Sequence, residues 1–265
     1  MNRKLIFLLI ASIFANPVIH AQPGTWRQVG DAGIWANTVF AASSGGTLYT
    51  IEKSGALYKT DPGIGVWAQI GTQSYANTIM LFAGNKNIFT IEVNGSLFRT
   101  NPATANWERL GEAGAWANTI AGTAVSGYLY TVEKNGALYV TNVNTGVWQQ
   151  IGKAEFANTI YLFNANGKLY SIENDGSLYE ISQSDGSWKQ IGDKGAWANT
   201  TAGATMDGKL YSTESNGALY VTDLVTGAWQ QIGKAEFGNT KFMFGSLGKI
   251  YTIESSGTLY EVNVY

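Results

Sequence analysis

The side chains able to do chemistry are few in kind. The chain of 265 residues has no cysteine and one histidine, His20, which falls in an apolar leader at the N-terminus. A chain cut after that leader carries neither imidazole nor thiol. Serine and cysteine hydrolase triads then lack their base, and His-based zinc sites lack their ligands. No Asp-x-Asp-x-Asp-Gly loop points to calcium, and the glycines fall at turn spacings rather than in a phosphate cradle. No metal or other cofactor is expected. Carboxylates and aromatic rings remain. Glycoside cleavage needs two carboxylates in distinct settings, whereas here they recur in register: Glu52, Glu92, Glu133, Glu173, Glu214 and Glu254. Repetition of that sort suits equivalent binding sites better than one catalytic centre, so an enzyme is not expected.

Two further ladders share the register. Asn37, Asn77, Asn118, Asn158, Asn199 and Asn239 are followed by Thr and preceded, two residues earlier, by an aromatic. That aromatic is Trp35, Trp116 and Trp197 in alternate copies, and Tyr75, Phe156 and Phe237 in the others. Trp26, Trp67, Trp107, Trp148, Trp188 and Trp229 form the third ladder, most of them inside Gly-x-Trp-x-x-(Ile/Val/Leu)-Gly. The intervals alternate between 40 and 41 residues. Six copies at that period mark a radial or solenoid array.

The elements that must position these residues are short strands. In the fourth copy, 158–164, 168–173, 177–181 and 187–191 are apolar and β-branched runs bounded by Gly, Asn, Asp or Ser. Such runs read as strands and turns, and none has the period of a surface helix. Four strands in about 40 residues make one propeller blade. The chain starts at a fourth strand (26–30) and ends at a third (257–262). The N-terminal strand therefore pairs with the last blade and closes an all-β, six-bladed propeller over residues 22–265. Blades alternate in type, as an approximate three-fold of 81-residue units.

Residues 1–21 read as a secretory signal peptide: Arg3 and Lys4, an apolar run from Leu5, then a small residue, Ala21, before the cut. The expected destination is secreted, periplasmic or at the cell surface. The formal net charge of −2 becomes −4 once Arg3 and Lys4 leave. A weakly acidic chain with scattered basic residues has no footprint for nucleic acid, and no run is long enough to insert into a membrane.

Strand direction sorts the loops. One face carries the turns between strands two and three, with the Glu ladder, and the links between blades, with the Asn-Thr pairs. It is uniform and polar, which marks it as the binding face. The Asn side chain is expected to bond backbone in a turn, and the Glu side chain to latch blade to blade by accepting backbone N–H groups. Trp26 and its counterparts are expected to pack between blades. For the Trp35 class both packing and a sugar-stacking platform are open.

The order Trp-x-Gln-Ile-Gly, Asn-Thr, then Gly-x-Leu-Tyr twice resembles the tectonin and tachylectin-type repeat, over essentially all of 26–265. That resemblance implies a secreted lectin binding glycans or glycoconjugates on cell surfaces, with several pockets on one face at neighbouring blades. By position it picks Trp35 and Asn37, Tyr75 and Asn77, Trp116 and Asn118, Phe156 and Asn158, Trp197 and Asn199, and Phe237 and Asn239, with the six Glu residues beside them. The alternative is a structural or protein-interaction propeller without glycan binding.

Overall fold

The computed structural model describes residues 22–265; the expected signal peptide lies outside the described residues. Blade one is built from β2 (Thr38–Ser44), β3 (Thr47–Glu52), β4 (Leu57–Asp61) and β5 (Val66–Gln69), joined by tight turns into an antiparallel sheet. The same order repeats through blades two to five, β6 to β21 over 78–232. Blade six has β22 (Thr240–Ser246), β23 (Lys249–Glu254) and β24 (Leu259–Val262), and takes β1 (Trp26–Val29) as its outer strand. The register runs from Trp26 opposite Val262 to Val29 opposite Leu259. The ring is therefore closed as its phase requires, and the described residues are six four-stranded antiparallel blades.

Each blade is covered on both sides by its neighbours. The second strands are accordingly buried along nearly their whole length, Leu48 to Glu52 in blade one, and read as continuous rather than alternating apolar runs. The core is a set of seams: Leu48 of blade one packs with Phe244, Tyr251, Ile253 and Leu259 of blade six. Every inner strand carries a register shift one residue from its start, in blade one between Thr38 and Phe40. These bulges bend the strands as they converge on an axial cavity of about 330 Å³ lined by residues such as Ser43, Thr123, Asn164 and Thr205.

One contact recurs at every seam. The backbone N–H of each linker aromatic donates to the carbonyl of the glycine in the preceding blade's second turn: Trp35 to Gly257 at 3.0 Å, Tyr75 to Gly55 at 2.8 Å, Trp197 to Gly176 at 3.0 Å. Gly257 has φ +79°, and a Cβ there would stand 2.1 Å from the Ala36 nitrogen. Both the backbone conformation and the close approach demand glycine. Gly167 has a similar φ, +76°, but nothing within 4 Å, so it isolates the conformational cost. Gly257→Ala is expected to lower stability by at least about 2 kcal/mol, against about 1 kcal/mol for Gly167→Ala, as read by denaturant unfolding of the two variants.

Candidate functional site

The linkers carry most of the residues singled out in the sequence, and they distribute them in opposite ways. All six aromatics enter the core: Trp35 is 1% exposed, and Tyr75, Trp116, Phe156, Trp197 and Phe237 are buried like it. Each belongs to the apolar seam it crosses, Trp35 with Val29 and Leu48, Trp116 with Phe82 and Leu97. Buried this far, none of them offers a stacking platform, and of the two roles left open for this class the structure gives packing.

Their alternation has a packing cause. Twenty-five residues after each aromatic lies a buried strand-three residue: Thr60, Thr100, Thr141, Ile181, Thr222 and Val262. Where the ring has a polar handle the partner position is Thr. Tyr75 Oη meets Thr100 Oγ1 at 3.0 Å, and Trp197 Nε1 donates to Thr222 Oγ1 at 3.2 Å. Trp35 with Thr60 and Trp116 with Thr141 keep the same types without closing the bond. Where the ring is Phe the partner is Ile181 or Val262. A buried N–H or O–H needs an acceptor and a phenyl ring does not.

The Asn ladder stays exposed. Its structural work is done by the main chain: each carbonyl accepts the N–H of the residue after the Glu, as Lys53 N–H to Asn37 at 2.8 Å and Ser255 N–H to Asn239 at 2.8 Å. The expected backbone role of the Asn side chain is thus taken by its carbonyl, and Asn158 Oδ1 instead accepts from Asn174 Nδ2 at 3.3 Å. The Glu ladder is corrected too. Three of these carboxylates latch within a blade, to a hydroxyl: Thr38 Oγ1 donates to Glu52 at 2.6 Å, Thr159 to Glu173 at 2.7 Å and Thr240 to Glu254 at 2.8 Å. The contact from blade to blade is the aromatic–glycine bond.

Burial pushes the carboxyls of Glu52, Glu92, Glu133, Glu173 and Glu254 above the ordinary glutamate range, with the Thr hydroxyls opposing it where they bond. Glu261 sits low, because Arg27 and Lys249 outweigh its burial; Asp175 and Asp223 sit low because backbone N–H groups bond them.

The third Trp ladder is where the structure departs furthest from expectation. Trp26 is 48% exposed, and Trp107, Trp148, Trp188 and Trp229 are exposed with it; only Trp67 is half-buried. Trp67 packs against the seam of blades six and one, edge-on to Trp35 at 6.4 Å, and Trp107 stands edge-on to Tyr75 at 6.2 Å; the other four rings lie on the outer surface rather than between blades. In blades one and two the indole lies flat on its strand-three neighbour, Trp67 on Tyr58 at 3.9 Å and Trp107 on Phe98 at 4.2 Å. In blades three to six it stands edge-on, as Trp26 to Tyr260 at 4.6 Å and Trp188 to Tyr179 at 4.8 Å.

Among the described residues, blades four and six add a hydrogen bond to the indole N–H. Their linkers read Lys-Ala-Glu-Phe, and the Glu accepts the indole N–H: Trp26 Nε1 to Glu236 at 3.2 Å, Trp188 Nε1 to Glu155 at 3.1 Å. Ser74 replaces that Glu in blade two, and the linkers into blades one, three and five are one residue longer. In blade six the arrangement bounds a cavity of about 200 Å³, lined by Trp26, Tyr260, Phe237, Glu236, Asn239, Glu254, Thr252, Ser255 and Ser256. Phe237, Asn239 and Glu254 were singled out from the sequence, and the site gathers them. The platform, Trp26, and its anchor, Glu236, were missed; the signal was the shared Lys-Ala-Glu-Phe. The cavity opens between a linker and a second turn, on the uniform polar face.

No family model matches the chain, and no curated protein does. Solved structures do. A Bacteroides thetaiotaomicron protein of unknown function shares 13% identity over 92% of this chain and 73% of its own, with a TM-score of 0.64. YCF48 bound to D1 peptide shares 16% over 85% and 77%, with a TM-score of 0.58. Virginiamycin B lyase from Staphylococcus aureus shares 14% over 84% and 79%, with a TM-score of 0.57. At such identity these likenesses establish the propeller fold and no more.

Two measurements follow from the buried groups. A carboxyl with a raised folded pKa holds its proton to higher pH when folded, so stability falls as pH rises through that window and returns on acidification. The depressed groups lose their contribution as pH falls below the ordinary carboxylate value. The thermal midpoint is expected to rise as pH falls from neutrality toward the ordinary glutamate value of about 4.3, and to fall at pH below the ordinary carboxylate range, with Glu254→Gln shallower on the upper limb. For the 25-residue pairs, Thr222→Val alone is expected to cost about 1 kcal/mol, and Trp197→Phe with Thr222→Val to cost less than the sum of the singles by a similar amount, in a double-mutant cycle by chemical denaturation.

Proposed function

We propose that this chain is a multivalent carbohydrate-binding propeller whose sites are the Trp–Glu arrangements of blades six and four. A pyranose offers C–H groups on one face and hydroxyls around its edge. It is complemented by an aromatic face flanked by a few fixed polar groups. Trp26 with Glu236, Asn239 and Glu254 has that make-up, and Trp188 with Glu155, Asn158 and Glu173 occupies the same positions in blade four. The observation that carries the reading is the indole held by its own N–H: an exposed Trp that is edge-on to Tyr and bonded to Glu is preorganised, and its face is free. The same ring lies against a neighbour in blades one and two. The resemblance to tectonin-type repeats points the same way, and the reading is of a binding protein rather than an enzyme.

Two weak sites on one rigid ring would act together on a glycan-covered surface, raising avidity by about 10²-fold or more over one site. Binding to a glycan array and agglutination of glycan-bearing cells, inhibited by a free sugar, are the expected outcomes. Trp26→Ala with Trp188→Ala should abolish both while circular dichroism is unchanged, and Trp148→Ala should leave both intact. Retention of sugar-independent partners alone, with a blank array, would return the chain to the protein-interaction reading.

A further inference from the structure

Resting on that reading, we infer that the blade-six cavity takes a pyranose bearing a protonated amine, a glucosamine unit rather than its N-acetylated or hydroxyl counterpart. The cavity has an aromatic wall, Trp26 and Tyr260, and two carboxylates, Glu236 and Glu254, and neither Lys nor Arg lines it. The two acids are fixed rather than merely close. One Glu236 oxygen holds the indole N–H and one Glu254 oxygen holds the Thr240 hydroxyl, which leaves the second oxygen of each for a ligand. Thr252, fully buried in the cavity wall, lies beside the Glu254 carboxylate without completing a hydrogen bond of normal geometry.

An ammonium group answers this lining in two ways. It donates charge-assisted hydrogen bonds to carboxylates that can only accept, and it is attracted to the faces of Trp and Tyr. Arg27, next to Trp26, and Lys249 both pair with Glu261 rather than with the cavity acids. An acetamide brings no positive charge, and an anionic sugar meets two like charges. Blade four has the same set in Glu155, Glu173, Trp188 and Tyr179.

The test is titration calorimetry of the full chain with tetramers of glucosamine, N-acetylglucosamine and glucose at neutral pH. The glucosamine tetramer should bind at least about tenfold tighter than either other, the scale of a charged hydrogen bond. Glu236→Gln and Glu254→Gln should each lower the ratio of glucosamine-tetramer to glucose-tetramer affinity, whatever they do to binding of all three sugars in common, and a ratio unchanged in both variants would overturn the amine assignment. Binding of all three with equal affinity would overturn the amine assignment and leave the carbohydrate reading standing. Binding of none of them, alongside a blank glycan array, would remove both.

Discussion

The amide of each linker aromatic, bonded to a glycine carbonyl in the turn behind it, is the contact on which the rest of the ring depends. It sets the height at which the linker crosses the seam. At that height the aromatic drops into the core, and the Asn carbonyl two residues later meets the next blade's second turn. The residue before the aromatic is then left at the surface, where Glu155 and Glu236 reach an indole. Packing, strand start and polar anchor all follow from one backbone hydrogen bond, and a side chain on the glycine would block it by contact with the residue after the aromatic, Ala at five seams and Gly238 at the sixth.

The fold was legible because it is written six times. Period, strand length and the out-of-phase ends each report on the backbone, and a backbone repeated six times averages away local ambiguity. The site was less legible because exposure depends on which residue of a five-residue link faces in. Trp35 and Trp26 both stand near Gly, both recur, and both are large and amphipathic; composition cannot tell which is covered. The evidence against the Trp35 class as a platform was nevertheless in the chain. A ring that becomes Phe when a residue 25 positions on becomes Ile181 or Val262 is answering a buried neighbour, not a ligand. Trp26 gave the opposite sign, since Arg27 and Gln28 beside it are polar and the run Trp-Gln-Gln recurs on outer strands.

The Glu ladder shows how a repeated charge can be structural without being inert. Six carboxylates near the surface would be easy to read as six ligand sites, yet three of them spend one oxygen on a Thr hydroxyl of the same blade. What distinguishes blades four and six is an acid immediately before the linker aromatic, where it bonds an indole; the linkers into blades one, three and five carry Asp31, Glu112 and Asp193 four residues before theirs. Function on this ring is thus proposed where the repeat is broken in a small way, by a shorter linker and one Glu, on a scaffold otherwise kept uniform by packing.

The closing strand has a consequence for biosynthesis. Trp26 is among the first described residues made, and its partner Val262 among the last. The blade-four arrangement comes from one contiguous stretch, 155–188, and can assemble while the rest of the polypeptide is still emerging. The blade-six cavity needs Trp26 from β1 and Tyr260 from β24, so it exists only once those two strands have paired. Pairing across such a separation is slow to form. A molecule in which β1 has not paired with β24 would hold the blade-four arrangement alone, so the Trp26–Glu236 bond is itself a record of ring closure.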